Sequence, residues 1–361
     1  MRLVRFIFIL LSVAIIAASL LSYASMYISS DRIWFLVFFG LAYLPILIIH
    51  VILTIFWLFV NRRMAVIMLL ILLPGMQAHR SSFAFGEGEQ APDSANVIQV
   101  LTYNVKGFDF TSKDPHREDI IQAITSSEAD IICLQEFNSY HNQNGKPDNL
   151  KELQDKTGLP YKYYEKCYQN RKGSRSFGVL ILSRFPIIDK GHLDFATVSK
   201  MNTTIYTDLL IGIDTIRMYT THLQSNQLTH SDFDFINQTQ EHDTLQFDTK
   251  RVASKLKTSA QIRAGQVLNI RESIEASPHP VLFAGDFNDT PVSFAYATIS
   301  EGLDDAFLSA SKGTGATYIP FPFIRIDYLL YDPESFSVVN YQKRRSPGSD
   351  HYLVEVELFL K

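Results

Sequence analysis

Two long apolar runs at the start of the chain constrain its fold more than anything that follows them. Residues 3–23 are apolar except for Arg5, and residues 33–60 carry no charge unless His50 is protonated. A helix rising about 1.5 Å per residue makes either run long enough to cross about 30 Å of hydrocarbon. A third run, residues 64–76, is shorter and is interrupted by Pro74-Gly75. Extending it through "QAHRSSFAF" would carry Arg80 into the membrane at a cost. The first run also has the basic start and apolar body of a signal peptide. A second span follows at once, however, and "SYASM" is a mediocre cleavage site, so an uncleaved anchor is expected. The expected organisation is a transmembrane region over residues 1–76, a linker over 77–96, and one domain over 97–361.

Basic residues orient the spans. Arg2 and Arg5 precede the first, and Arg62 and Arg63 follow the second, so both clusters are expected on the cytoplasmic side. With a third span the remainder lies outside the cytoplasm; a two-span hairpin would leave it inside. The expectation is a multi-pass protein with an extracytoplasmic domain, and a cytoplasmic domain is the alternative.

The rest of the chain is acidic. Taking the six basic and one acidic residue of the first 86 from totals of 33 and 37 leaves 27 and 36, a net of about −9 with His neutral. A field of that sign does not gather polyanions, which counts against a surface that tracks nucleic acid. The two cysteines, Cys133 and Cys167, supply neither a disulfide framework nor a thiolate metal set, and Cys133 inside "DIICLQE" reads as core.

Within the linker, "GEGEQAPDSAN" is polar and aperiodic. Beyond it, short β-rich runs recur: "VIQVLTYNV", "ADIICLQEF", "FGVLILSRFPII", "TIRMYTTHL", "PVLFAGDFN", "IDYLLY" and "YLVEVELFL". Several are continuously apolar, as strands buried on both faces are. Helical patterns such as "REDIIQAITSSEA" and "KRVASKLKTSAQIRAGQVLNIRESIEAS" lie between them, which implies an α/β domain with sheet inside and helices outside. Residues 225–250 read as a surface loop leading into the basic helix, whose Lys/Arg faces are taken as solvated surface.

Polar residues gather where strands end. They are Asn104, Glu136, His222, Asp286 with Asn288, Asp327, and Asp350 with His351. Each alone has an ordinary reading as a cap or turn residue. Together, on strands of one domain, they can converge on a single cleft. Carboxylates and an amide with no thiolate favour a hard cation, Mg²⁺ or Mn²⁺, over zinc. A His with a carboxylate partner supplies proton transfer near neutral pH. No Walker loop or dinucleotide-type glycine pattern is present.

The runs "LTYNVKGF", "DIICLQEF", "GVLILSRFPI", "YTTHLQS", "GDFNDTP", "RIDYLLY" and "SDHYLVEVEL" resemble, in order and spacing, the signature motifs of the endonuclease/exonuclease/phosphatase superfamily (deoxyribonuclease I-like), in particular its membrane-anchored bacterial members. The resemblance covers essentially all of 97–361. It implies a four-layered α/β/β/α sandwich with the active site at one end of the two sheets. Carried over, Glu136 is the principal metal ligand, Asn104 the amide beside it, and Asp350 a carboxylate that binds or orients the metal. His351 is the histidine of the closing Ser-Asp-His, and Asp327 orients it. Asp286 and Asn288 align the attacking water and the phosphate, and either Asp286 or His351 takes the water's proton. His222 is a phosphate contact and leaving-group acid; repair endonucleases carry a tyrosine there, so His222 leans away from that branch. Arg184 in "LSRFP" has two readings, a contact to substrate phosphate and a turn stabiliser. Asp289 reads as a turn or cap residue.

The expected activity is metal-dependent hydrolysis of a phosphodiester or phosphomonoester. A nuclease and a lipid or inositol phosphate phosphodiesterase or phosphatase are the narrower alternatives. The implied partners are the phosphate-ester substrate, whether lipid headgroup or nucleic acid, and the bilayer, with no obligate protein partner. A catalytically silent receptor or scaffold would show loss of one of these positions, and none is lost. The apolar "YIPFPFIRIDY" beside Asp327 reads as core, with lipid contact the alternative.

Overall fold

The computed structural model describes residues 2–107, 116–140, 148–171, 175–195, 202–227 and 245–361. They group into two units. One comprises Met1–Ser82, Ser225–Gly265 and Asp289–Thr298; the other comprises Phe83–Gln224, Gln266–Asn288 and Ile299–Lys361. Of the expected surface loop, residues 228–244 lie outside the described residues.

The first unit begins with five helices: α1 (Arg2–Ala24), α2 (Leu36–Leu41), α3 (Tyr43–Val60), α4 (Arg62–Leu72) and α5 (Met76–Ser82). Three stretches, Leu3–Ala24, Tyr43–Val60 and Arg62–Ser82, are long and apolar enough to cross a membrane. The third departs from expectation. Leu73–Gly75 forms a 3₁₀ turn with Pro74 in its first positions, where a missing N–H costs nothing, and helix resumes in α5. Helical structure therefore runs on to Ser82, and the stretch expected as linker starts as helix. Many apolar side chains of these helices point outward, among them Leu3, Phe6, Val13, Ile52, Ile55 and Leu70.

Inside the bundle, polar contacts set the register. Trp57 Nε1 donates to Ser12 Oγ at 2.7 Å, and Ser19 Oγ lies 2.8 Å from His50 Nδ1. These two pairs make α1 and α3 antiparallel, which brings Arg5 and Arg62 to the same end. His50 Nε2 lies 3.0 Å from Met68 O, tying α4 to both. A buried imidazole between a hydroxyl and a carbonyl is satisfied as the neutral tautomer, so it joins three helices without a charge.

The second unit is built on two six-stranded sheets. One has the order β13-β14-β2-β3-β5-β4, with β2 Val97–Asn104, β3 Ile131–Tyr140, β4 Tyr161–Gln169, β5 Arg175–Ser183, β13 Phe336–Arg345 and β14 Tyr352–Leu360. The other has the order β10-β12-β9-β8-β7-β6, with β6 Ile187–Leu193, β7 Thr203–Ile211, β8 Asp214–His222, β9 Val281–Asp286, β10 Asp304–Asp305 and β12 Asp327–Tyr331. A two-stranded ribbon pairs β1 (Ala84–Phe85) with β11 (Lys312–Gly313). Among the described residues only β2/β3 and β8/β9 are parallel pairs.

The two large sheets face each other through Ile98, Val100, Ile131, Cys133 and Ile181 on one side and Ile205, Leu209, Met218, Leu282 and Leu329 on the other. The outer face of the first sheet, with Leu101, Tyr103, Ile132 and Leu134, packs under α6 (Arg117–Thr125) and α7 (Asn149–Thr157). Against the second lies the C-terminal half of α8 (Leu245–Glu275), where Tyr219 Oη donates to Ser273 O at 3.0 Å and Val267 and Ile270 are buried. Both faces of β2 and β9 are thus covered, which is why β9 reads as an unbroken apolar run up to Asp286 and β2 as a largely apolar one. The result is the expected four-layered α/β/β/α sandwich.

Candidate active site

Strand register assembles the site. In the second sheet β9 lies between β8, parallel to it, and β12, antiparallel to it. His222 pairs with Asp286 on one side and Asp327 pairs with Asp286 on the other, so three polar residues occupy one row across three strands. In the first sheet β2 and β3 run parallel with Asn104 opposite Gln135. β14 runs back along β2 from Tyr352, so His351 just precedes it at the end where β2 stops.

Two backbone features aim these groups. Between Leu134 and Phe137 the β3/β5 register slips, and within that bulge Glu136 has φ +56°. A positive φ is costly for a residue with a Cβ, and a bulge turns a side chain out of the strand's alternation. Glu136 is turned to Asn104, whose Nδ2 lies 3.4 Å from Glu136 Oε1. Next to Asp286, Gly285 has φ +139°, and a Cβ there would meet Thr221 O at 2.2 Å. Only glycine allows β9 to approach β8 this closely.

Hydrogen bonds join the sheets at the site. Asn104 Nδ2 donates to Asp286 Oδ2 at 2.9 Å, and Asp286 Oδ1 accepts from Asn288 N at 2.7 Å. Asn288, at φ +52°, donates through Nδ2 to Leu223 O at 3.1 Å. His351 Nδ1 lies 3.0 Å from Asp327 Oδ2, and its Nε2 lies 3.8 Å from Asp286 Oδ2. His222 Nε2 is 3.5 Å from Glu136 Oε1 and 3.8 Å from Asp286 Oδ2. The ring is buried with Nδ1 3.5 Å from Asn202 Nδ2, and Nε2 has no hydrogen-bond partner, so that edge of the imidazole is aimed into the site with capacity to spare. Asp350 lies 4.0 Å from His351 Nε2 and 3.2 Å from Lys106 Nζ.

Electrostatics follow from this crowding. Burial pushes the Asp286 carboxyl up, opposed by the His351 and His222 imidazoles and Asn104 and reinforced by Asp327. Burial works against the imidazolium of His351, but the Asp327 and Asp286 carboxylates beside it prevail and hold its pKa up at about 10. The pair works as a unit, with the imidazole keeping its proton between two carboxylates.

Eight of the nine expected residues come together. Arg184 does not: its Nε pairs with Asp130 Oδ1 at 2.9 Å and its N–H bonds Asp130 O, just before β3 begins, whereas Glu136 lies further along that strand. The turn-stabilising reading fits this placement, and the phosphate contact does not. Asn104 also has a different emphasis. Its Oδ1 accepts from Lys106 N at 2.9 Å while its Nδ2 faces two carboxylates, so it orients Glu136 and Asp286.

Several supporting residues escaped the sequence reading. Ser349 Oγ donates to Asn104 O at 2.7 Å and accepts from His351 N, seating the loop ahead of β14. Thr317 Oγ accepts from Asp327 N at 3.1 Å. The Tyr318 ring lies 5.1 Å from that of His351, and burial followed by the surrounding carboxylates pushes its phenol up. Gln135 Nε2 donates to Thr220 Oγ1 at 2.9 Å, bridging the sheets beneath the site. Ser349 and Thr317 are visible in sequence only as small hydroxyls near the motifs, since what selects them is a backbone group brought close by the fold.

Two carboxylate groupings are candidate ligands. Asp286, Asp327 and His351 offer atoms within 4.8 Å of one another. There, however, His351 Nδ1 is committed to Asp327, which suits proton handling better than coordination. Glu136 and Asp350 are about a quarter exposed and offer only oxygens, which fits a hard divalent cation.

Residues 101–351 match the endonuclease/exonuclease/phosphatase family, and residues 5–82 match a domain of unknown function. No curated protein matches the chain. Among solved structures, an endonuclease/exonuclease/phosphatase from Beutenbergia cavernae aligns with a TM-score of 0.51 at 18% identity, covering 73% of this chain and 72% of that one. The catalytic domain of human Nocturnin with bound sulfate aligns with a TM-score of 0.50 at 15% identity, over 73% and 95% of the two chains. D. rerio TDP2 complexed with single-strand DNA product gives 0.50 at 15%, over 73% and 99%. At such identities the likeness speaks for the fold.

Proposed function

The chain belongs to the endonuclease/exonuclease/phosphatase family, and from that premise we propose a membrane-anchored, divalent-metal-dependent phosphoesterase that hydrolyses a phosphodiester or phosphomonoester by in-line attack of water. The observation that carries this reading is the row His222–Asp286–Asp327, closed by His351 and joined through Asn104 to Glu136. Glu136 and Asp350 would hold Mg²⁺ or Mn²⁺, with Asn104 keeping Glu136 in place. A bound cation of this kind polarises a phosphoryl oxygen and stabilises the charge that develops on it.

The chain's own groups do the rest. Asp286 and Asn288 orient the attacking water, and its proton passes into the Asp286–His351 pair. Asp327 fixes the imidazole's tautomer and stabilises its charged form. His222, with its free Nε2 edge, contacts the phosphate and serves the leaving group.

The bound sulfate in the Nocturnin structure and the DNA in the TDP2 structure mark a chemical range from tetrahedral anion to phosphodiester. The acidic balance of residues 87–361 gives a nuclease little help, while three apolar helices favour substrates presented at a bilayer, such as lipid or inositol phosphates. Arg2, Arg5, Arg62 and Arg63 on the cytoplasmic side would place the catalytic domain outside the cytoplasm. A panel of DNA, RNA, sphingomyelin and inositol phosphates, assayed with full-length protein, tests the reading. Cleavage of at least one substrate, lost with EDTA and restored by Mg²⁺ or Mn²⁺, is expected. Cleavage of none with either metal would reject it.

A further inference from the structure

In the acidic remainder of this chain one stretch stands apart. Thr249 to Ile270 contains no Asp or Glu but holds Lys250, Arg251, Lys255, Lys257 and Arg263. It lies within α8, and successive residues of a helix are spaced about 100° around its axis. Leu256, Ser259, Ala260, Arg263 and Ala264 therefore fall on one side, and all are buried. Lys257, Lys250, Ser254, Thr258, Arg251 and Lys255 fill the opposite arc, where each is exposed or half-exposed. From Thr249 to Thr258 every charged residue on the outward face is basic.

A basic face is ordinarily just solvated. Here its position argues otherwise. The part of α8 up to Gly265 groups with the apolar helices, and Lys257 Nζ sits 5.2 Å from the centroid of Trp34. Trp34 lies in the connection between α1 and α2, just beyond the first apolar span, beside Phe35 and Phe38. Trp34 and Phe35 are both partly exposed. Exposed aromatics at the end of an apolar span sit at headgroup level.

α8 is also fixed there. The buried Arg263 Nε donates to Asp289 Oδ2 at 3.1 Å. Residues after Asp289 are held by the ends of the bundle: Ser25 Oγ donates to Val292 O at 2.9 Å and Thr290 Oγ1 to Gly40 O at 3.2 Å. In the same connection Asp31 and Arg32 offset one another in formal charge, and within the basic arc Lys255 Nζ donates to Gln227 O at 3.0 Å.

We propose that the outward face of α8 from Lys250 to Lys257 binds the headgroups of anionic phospholipids, seating the unit on a negatively charged bilayer surface. The inference rests on the membrane-anchored reading above. Charge complementarity and continuity with the spans name the partner, and each basic side chain near such a surface is worth about fivefold in partitioning.

The test uses full-length protein in nanodiscs of phosphatidylcholine alone and with phosphatidylglycerol admixed, read by amide hydrogen exchange. Several-fold slower exchange over residues 249–258 is expected in the anionic discs. High salt should remove the effect, as should the triple variant K250Q/R251Q/K257Q, whose amides at 266–275 should stay as protected as in the unaltered protein. Equal exchange in both discs, with α1 and α3 protected in each, would overturn the inference and leave the anchored reading standing. An anionic effect that persists in the triple variant would overturn it too. Exposed α1 and α3 amides in both discs would overturn the anchored reading and this inference with it.

Discussion

At the scale of single residues, the site depends on groups that hold other groups. Asp327 is the clearest case, because it touches the imidazole of His351 from behind and leaves Nε2 to face Asp286. Asp327→Asn preserves shape but exchanges an ion pair for a neutral hydrogen bond that permits the wrong tautomer. Turnover should fall roughly a hundred- to ten-thousand-fold with little change in KM, measured on whichever substrate the panel identifies. A variant with unaltered turnover would remove His351 from proton transfer. The principal acidic and imidazole residues were legible in sequence because each interrupts an apolar strand. Arg184 was ambiguous for the same reason: a basic residue at a turn reads equally as ligand or as brace, and only its pairing with Asp130 decides. The positive φ of Glu136 had no sequence signal, since a bulge is a relation between two strands.

At the scale of elements, the strands found from sequence are all interior ones, but β7, interior and largely buried, was missed because its Thr203, Thr204, Thr207 and Asp208 break up the apolar run. β4 and β6 were missed because they are edge strands with much exposed and charged surface, as in "YKYYEKCYQ" and "IIDKGHL". β13 was missed for a related reason, its C-terminal half reading "QKRR". The third apolar run was expected as a short span over residues 64–76, broken at Pro74-Gly75, whereas a 3₁₀ turn absorbs the proline and lets helix resume to Ser82. Tight strand approach yields a prediction at this scale. Gly285→Ala would place a Cβ 2.2 Å from Thr221 O at a φ of +139°, so β8 and β9 must separate beside Asp286. Overpacking of this kind costs about 1–3 kcal/mol, and the melting temperature of the variant should drop together with activity. Unchanged stability would mean that β9 approaches β8 less closely than described.

At the scale of the whole molecule, the sequence divides into an apolar, basic-flanked beginning and an acidic remainder, and the structure redraws that division. Asp289–Thr298, immediately after Asn288, and Ser225–Gly265 group with the N-terminal helices. Val292 accordingly shares a core with Tyr23, Met26, Tyr43 and Ala78. Nothing in "DTPVSFAYAT" announces this, because its small and hydroxyl residues acquire meaning only from the helix ends they meet. Orientation is testable on its own. A reporter active only outside the cytoplasm, fused after residue 90, should be active if the Arg clusters lie inside; an active cytoplasmic reporter at the same point would reverse the topology.

The central claim is that Glu136 and His351 serve one metal-dependent hydrolytic site, and it is tested most directly by hydrolysis of a generic phosphodiester by purified full-length protein. The measurement compares the unaltered chain with Glu136→Gln and His351→Ala, with Mg²⁺ and with EDTA, and follows Mg²⁺ binding by calorimetry in parallel. The account predicts metal-dependent turnover in the unaltered chain, its loss in both variants, and weakened metal binding in Glu136→Gln alone. Turnover that survives both substitutions in clean preparations, or that is indifferent to EDTA, would contradict it.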